Sequence, residues 1–320
     1  MKRIIAAAAA LIMMVCMLCG AAAAEDKELH IVATIFPVCD WIREISAGIP
    51  GVRITQLLDN GVDLHSFQPT AQDIRSVTEA DLFLYVGGES DDWVEDVARA
   101  IPNPEWRTVN LLEALGDAVK AEETVEGMEP EKETHGEEED GEEADEHVWL
   151  SLRNARMLCG TLAEALAGAD PDHAEEYRKN AETYGEKLDE LDRAYAEAVS
   201  QAAYHTVLFG DRFPFRYLTE DYGLEYYAAF RGCSAESEAS FQTIVFLAQK
   251  LDELGLPAVI TIDQSGTRIA ETVVSATREK NQAILSMDSM QGTTSRDAEA
   301  GATYLKIMEQ NLEVLKQALN

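Results

Sequence analysis

The chain has 320 residues, 26 Lys and Arg against 59 Asp and Glu, a net charge of −33 at pH 7, and 46% hydrophobic residues. That length fits two domains, each large enough to bury its own core, and the apolar share is that of a folded globular protein. So negative a surface repels nucleic acid and anionic membranes and draws in cations, so nucleic-acid binding is excluded.

Lys2 and Arg3 precede an apolar run from Ile4 to about Leu18, then Gly20 and four alanines before Glu25. A basic start, an apolar middle and a small-residue end predict a signal peptide over residues 1–24, hence an exported protein. Its run is too short for a membrane span. Cys19 stands where a lipid-modified cysteine would stand, but Leu18 before it departs from the small residue expected there. Lipid anchoring therefore stays an open alternative. Of five cysteines, Cys39, Cys159 and Cys233 lie beyond this segment. An odd number without C-x-x-C spacing argues against a disulfide framework, and Cys39 and Cys159 read as buried thiols.

Strands and helices then alternate. An apolar strand over His30–Ile35 leads through Phe36-Pro37 into a helix ending at Ile45. A second strand covers Val52–Leu58, a helix starts at Thr70, and a third strand, Asp81–Val86, stops at Gly87-Gly88. A helix from about Asp91 and a fourth strand, Arg107–Leu111, complete an N-terminal lobe over residues 25–169. This spacing predicts parallel βαβ units. From Ala121 to Glu146 the composition turns mostly to Glu, with His135 among them, and no core residues. That stretch is expected to be a mobile loop. Globular character returns at His147-Val148-Trp149-Leu150, and a helix is expected over Asn154–Ala167.

Asp170 as N-cap and Pro171 at the first helical position predict a longer helix to about Ala202, a rigid connector over residues 170–203. The C-terminal lobe, residues 204–320, repeats the order. Strands are expected at Thr206–Gly210, Leu224–Ala229, Ala258–Asp263 and Ala283–Met287, and a final helix runs from about Arg296 to Leu319. The fold class is thus α/β: two βα lobes with parallel-type sheets joined by a long connector helix.

Ligands of open α/β lobes bind at the carboxyl ends of the strands. His65, in the loop after the second strand, and His147, where the acidic stretch ends, are placed to offer neutral imidazole to a metal. Either histidine alone is more often a residue without a role. Together, Gly61-Val62-Asp63-Leu64-His65-Ser66-Phe67-Gln68-Pro69-Thr70, Ala80-Asp81-Leu82 and Asp145-Glu146-His147-Val148-Trp149-Leu150 resemble, in order, the first motifs of ABC-transporter solute-binding proteins for zinc and manganese. Ala169-Asp170-Pro171, Ser234–Ser240 and Gly301–Asn311 are similar to later segments of that family, so the resemblance spans nearly all of the chain beyond residue 24. It implies two lobes, one metal in the interlobe cleft, and delivery to an ABC transporter permease.

The family's third ligand follows the first strand of the second lobe, where this chain reads Phe209-Gly210-Asp211-Arg212-Phe213-Pro214-Phe215. Arg212 takes the ligand's place and, having only donors, cannot ligate. Asp211 beside it is either a substitute ligand or a helix cap. The resemblance places a fourth ligand, a carboxylate, at Asp263, and Cys233 is an outside candidate because a thiolate binds zinc well. Two imidazoles and two carboxylates would supply four donors and offset a divalent charge. The expectation is a monomer that carries Zn2+ as transported ligand, with Mn2+ the alternative, on His65, His147, Asp211 and Asp263. A secreted zinc hydrolase is the enzyme alternative, but H-E-x-x-H and G-x-S-x-G are both missing. A purely adhesive role for the acidic stretch is the third class.

Overall fold

The computed structural model describes residues 28–61, 63–100, 107–129, 143–233, 238–263 and 265–320. The expected signal peptide, Cys19 and His135 lie outside the described residues. Leu29–Ala33 (β1) is buried along its whole length, which fits its central place and a sequence that is apolar but for His30, whose Nε2 lies 3.0 Å from Thr55 Oγ1. It pairs in parallel with Val52–Gln56 (β2) on one side and Leu82–Tyr85 (β3) on the other, and Thr108–Asn110 (β4) closes the order β2-β1-β3-β4. The second sheet has the same form. Thr206–Phe213 (β5) and Ala258–Ile262 (β7) are central, flanked by Glu225–Arg231 (β6) and Ala283–Met287 (β8), in the order β6-β5-β7-β8.

Helices cover the sheets. In chain order they are Phe36–Ile45 (α1), Ala71–Thr78 (α2), Trp93–Ala100 (α3), Leu111–Leu115 (α4), Leu152–Ala169 (α5), Ala174–Ser200 (α6), Arg216–Tyr222 (α7), Phe241–Leu254 (α8), Arg268–Ala276 (α9), Ser295–Glu299 (α10) and Tyr304–Ala318 (α11). Among the described residues, no helix is long and apolar enough to cross a membrane. The long connector α6 begins at Ala174, because Pro171–His173 forms a separate 3-10 turn. Asp170 does not cap by its side chain; its Oδ2 instead accepts from His173 Nδ1 at 2.7 Å and Tyr177 OH at 3.0 Å. The expected final helix is two, because Gly301, at φ 100°, turns the chain between α10 and α11.

One apolar core runs through both lobes. It reaches from Leu29 and Trp41 through Tyr195 on α6 to Tyr304 and Leu315 on α11. Helix α11 belongs to the second lobe by sequence yet locks onto the first. Tyr304 N–H donates to Asp40 Oδ2 at 2.8 Å, its hydroxyl donates to Trp149 O at 2.7 Å, and its ring meets Trp41 edge-on at 5.2 Å. An aromatic pair of this kind adds about 1 kcal/mol beyond its burial. A smaller cluster, including Leu208, Leu247 and Val273, packs α8 and α9 on the second sheet.

Candidate metal centre at the lobe seam

The carboxyl ends of the strands of both sheets meet at one seam. His65 stands there in a 3-10 turn, Leu64–Ser66, that follows β2. Asp63 starts the turn, its Oδ1 accepting from His65 N–H at 3.0 Å. His65 Nδ1 lies 2.9 Å from Ser90 Oγ and 3.4 Å from Glu146 Oε2. With the ring proton on Nδ1, where Ser90 Oγ can accept it and the Glu146 carboxyl lies near, Nε2 keeps its lone pair. Ser90 in turn donates its N–H to Glu146 Oε1 at 2.9 Å. Gly88 makes this contact possible: its φ is 79°, and a Cβ there would come within 2.4 Å of Glu146 Oε1.

His147 is wholly buried at the start of the turn Val148–Leu150. Asp145 Oδ1 accepts both its backbone N–H and its Nδ1–H at 2.9 Å. In the neutral ring Nε2 therefore keeps its lone pair, and it lies 3.2 Å from His65 Nε2. The Gln291 amide donates to it from the loop after β8. Trp149 walls one side, with its ring 5.3 Å from that of His147 and its Nε1–H donating to Ser289 O at 2.9 Å.

The electrostatics suit a cation. Burial, with the neighbouring His147 charge, pushes His65 down to about 3, so it is a neutral imidazole at neutral pH. Burial opposes charge on His147 as well, but the Asp145 hydrogen bond and the carboxylates of Asp145, Glu122 and Glu146 outweigh it and raise its pKa. Burial pushes Glu146 up to about 7.

Cys233 completes the set. It follows β6, and its Sγ and one ring nitrogen of each histidine all lie within 4.8 Å of one another. Its N–H donates to Glu122 Oε1 at 3.0 Å, and burial keeps the sulfur a thiol while no cation is present. Gly232 before it presses on the histidine: a Cβ there would lie 2.9 Å from Phe213 O and 3.0 Å from His147 Cε1. The sequence signal was slight, a Gly-Cys pair just past a strand end.

The two expected carboxylates do not join this cluster. Strand β5 continues through Asp211 and Arg212 to Phe213, with a bulge between Phe209 and Arg212. Asp211 Oδ2 accepts from Ile262 N–H at 3.1 Å and from the Ser265 hydroxyl, and Oδ1 accepts from Arg212 N–H at 2.8 Å. It staples β5 to the end of β7, where backbone N–H groups need an acceptor. It does not cap α7 either, since Phe215 stands at that cap without a side-chain bond. Asp263 Oδ1 accepts from Ser289 N–H at 2.6 Å and Ser289 Oγ at 2.9 Å, so it holds the loop that carries Gln291. Arg212 reaches across the seam, Nη1 2.9 Å from Asp63 Oδ2. Burial alone would raise Asp63, but the charges of His65 and Arg212 hold its carboxyl below the usual range.

The acidic stretch is ordered at both described ends, contrary to a mobile loop over all of 121–146. Ala121 bridges Ala144, Glu129 N–H donates to Ala229 O at 2.9 Å, and Glu129 Oε2 accepts from Ser240 N–H at 2.9 Å and Thr243 Oγ1 at 2.7 Å. Residues 121–129 thus form a strap from the seam to the second lobe.

Two parallel-sheet lobes on a helical connector, with donors converging at the strand ends between them, define a two-lobed solute-binding protein. The chain belongs to the family of zinc-uptake complex component A, periplasmic (ZnuA), whose profile matches residues 31–318. The zinc-binding lipoprotein AdcA of Streptococcus pneumoniae is 30% identical over 301 residues, 93% of this chain and 57% of AdcA, so the chain spans little more than half of that relative. The high-affinity zinc uptake system protein ZnuA of Bacillus subtilis is 28% identical over 302 residues, 94% of this chain and 90% of that protein. The crystal structure of the Zn(II)-bound ZnuA-like domain of S. pneumoniae AdcA matches with a TM-score of 0.71 at 27% identity, covering 91% of this chain and 99% of that domain.

Proposed function

We propose that the protein captures a divalent transition metal, zinc foremost, outside the cytoplasmic membrane and hands it to an ABC permease. The observation that carries this reading is the pair of imidazole Nε2 atoms 3.2 Å apart, each ring held by a partner on its Nδ1. Two neutral imidazole nitrogens so placed can offer lone pairs to a cation, with the Gln291 amide giving way on His147, and zinc takes imidazole nitrogen readily. Zinc binding by the named relatives supports the same cargo, and the periplasmic character of the family supports capture outside the cytoplasmic membrane.

The lobes already touch around the seam. Gln56 Nε2 donates to Thr293 O at 2.8 Å, and Asp59 accepts from Ser295. A metal held there would strengthen the closed form, which is what a permease would distinguish from empty protein. The protein acts as a monomeric carrier without catalysis of its own, and nothing in its charge suits nucleic acid.

The test is metal binding by purified protein stripped with chelator, titrated with Zn2+ and Mn2+, and repeated with His65→Ala, His147→Ala, Asp211→Ala and Asp263→Ala. One tight zinc equivalent that disappears in both histidine variants is the expected result, with smaller, indirect losses in the aspartate variants. Tight binding untouched by both histidine changes would overturn the reading.

A further inference from the structure

We infer that Cys233 is the third metal donor, as a thiolate, and that it replaces the ligand which the family resemblance would place at Arg212. This rests on the metal-capture reading and deepens it, because a thiolate changes which metals the site prefers.

Three observations converge on the sulfur. It lies within 4.8 Å of a ring nitrogen of each histidine, and those two nitrogens lie equally close to each other. Donor atoms around a four-coordinate zinc stand roughly 3.5 Å apart, given bonds of about 2.0–2.3 Å, so a small inward movement closes the set. Its turn is held firmly against the site, by Glu122 Oε1 on the Cys233 N–H and by Gly232 fitted against the His147 ring. The alternatives are occupied, too: Asp211 serves β7, Asp263 serves Ser289, and the Arg212 guanidinium pairs with Asp63. Cys39 and Cys159, by contrast, are buried in the apolar core.

On binding, the Cys233 thiol releases its proton and the sulfur carries one negative charge to the metal. The Glu122 carboxylate, which already accepts the Cys233 N–H, stands beside it as an acceptor for that proton. Two neutral imidazoles and one thiolate make a set that zinc favours and manganese, which prefers oxygen donors, does not. Departure from the family's histidine therefore sharpens selection for zinc.

Cobalt(II) reports the bond directly, because a cobalt–thiolate bond gives an intense near-ultraviolet charge-transfer absorption that nitrogen and oxygen donors do not. Wild-type protein with one equivalent of Co2+ should show it, and Cys233→Ala should lack it. Zinc affinity of Cys233→Ala should fall by more than the about 10- to 100-fold that loss of an outer-shell partner costs. Cys233→Asp should recover part of that affinity and narrow the preference for Zn2+ over Mn2+. One equivalent of Co2+ bound by wild-type protein without the absorption would overturn the thiolate assignment, whatever the folding of the variants. If His65→Ala still loses zinc in that case, capture by this seam stands and only the third donor is wrong. No tight metal on the wild-type protein would sink both.

Discussion

Replacing Asp145 with alanine separates the orientation of His147 from ligation by it. One carboxylate oxygen takes both the backbone N–H and the Nδ1–H of His147 at 2.9 Å, and the residue is 3% exposed. Without it, two buried donors lose their acceptor, at about 1–3 kcal/mol each, so the metal-free protein should lose about 2–6 kcal/mol. The ring is also free to move its proton to Nε2, the nitrogen that faces His65. Zinc affinity should then drop by about 10- to 100-fold, or about 1.4–2.7 kcal/mol, as for other carboxylates that orient ligating histidines. Asp145→Asn keeps an acceptor but not the charge and should lose less of both. Competition against a fluorescent zinc chelator gives the affinity, and melting of stripped and loaded protein gives the stability. If Asp145→Ala binds zinc as wild type does while His147→Ala loses it, the carboxylate has no part in aiming the ring.

Gly232→Ala should weaken zinc by about tenfold or more with little change in fold, since its Cβ would press on Phe213 O and the His147 ring; isothermal titration checks it. Burial raises Asp91 from 3.8 to about 6, so its ionised form destabilises the fold: that stability is full below pH 3.8, declines as pH rises to about 6, and stays low above. Asp91→Asn should therefore melt near wild type at acid pH and be more stable at pH 7 by up to about 3 kcal/mol, as urea denaturation at the two pH values would show. Exchanging residues 130–142 for glycine and serine of equal length should keep the tight zinc equivalent and remove only weak additional ones in a stoichiometric titration. Glu129→Ala, which cuts the strap from Ser240 and Thr243, should instead cost about 1–3 kcal/mol of stability.

Much of this was legible because hydrophobic runs bounded by glycine mark buried parallel strands, and both sheets follow from them. His65 and His147 were legible through their neighbours, since Asp63 and Asp145 lie two residues before and bond to their backbone. The proposed third donor, Cys233, was legible only as an outside candidate, on the chemistry of its thiol. Gly210-Asp211-Arg212-Phe213-Pro214 reads as a strand ending in a turn, yet pairing with β6 draws it into a bulged strand that ends at Phe213. Strand-end acids look alike in sequence, and which of them face a ligand depends on nearby N–H groups. Ile262 and Ser289 claim Asp211 and Asp263, and neither partnership has a local pattern. Cys233 meets the histidines only through tertiary contact, so no spacing announces it.

The grip of Tyr304 on Asp40 and Trp149 bears on how the chain matures. Asp40 waits for a partner 264 residues downstream, and the shared core around Trp41 is not complete until α11 arrives. Closing so long a loop is slow, and a chain emerging end first must remain open until its C-terminal helix is available. The seam shares that delay. Tyr304 also ties down Trp149, which walls His147, so the pocket is complete only after the last helix has docked.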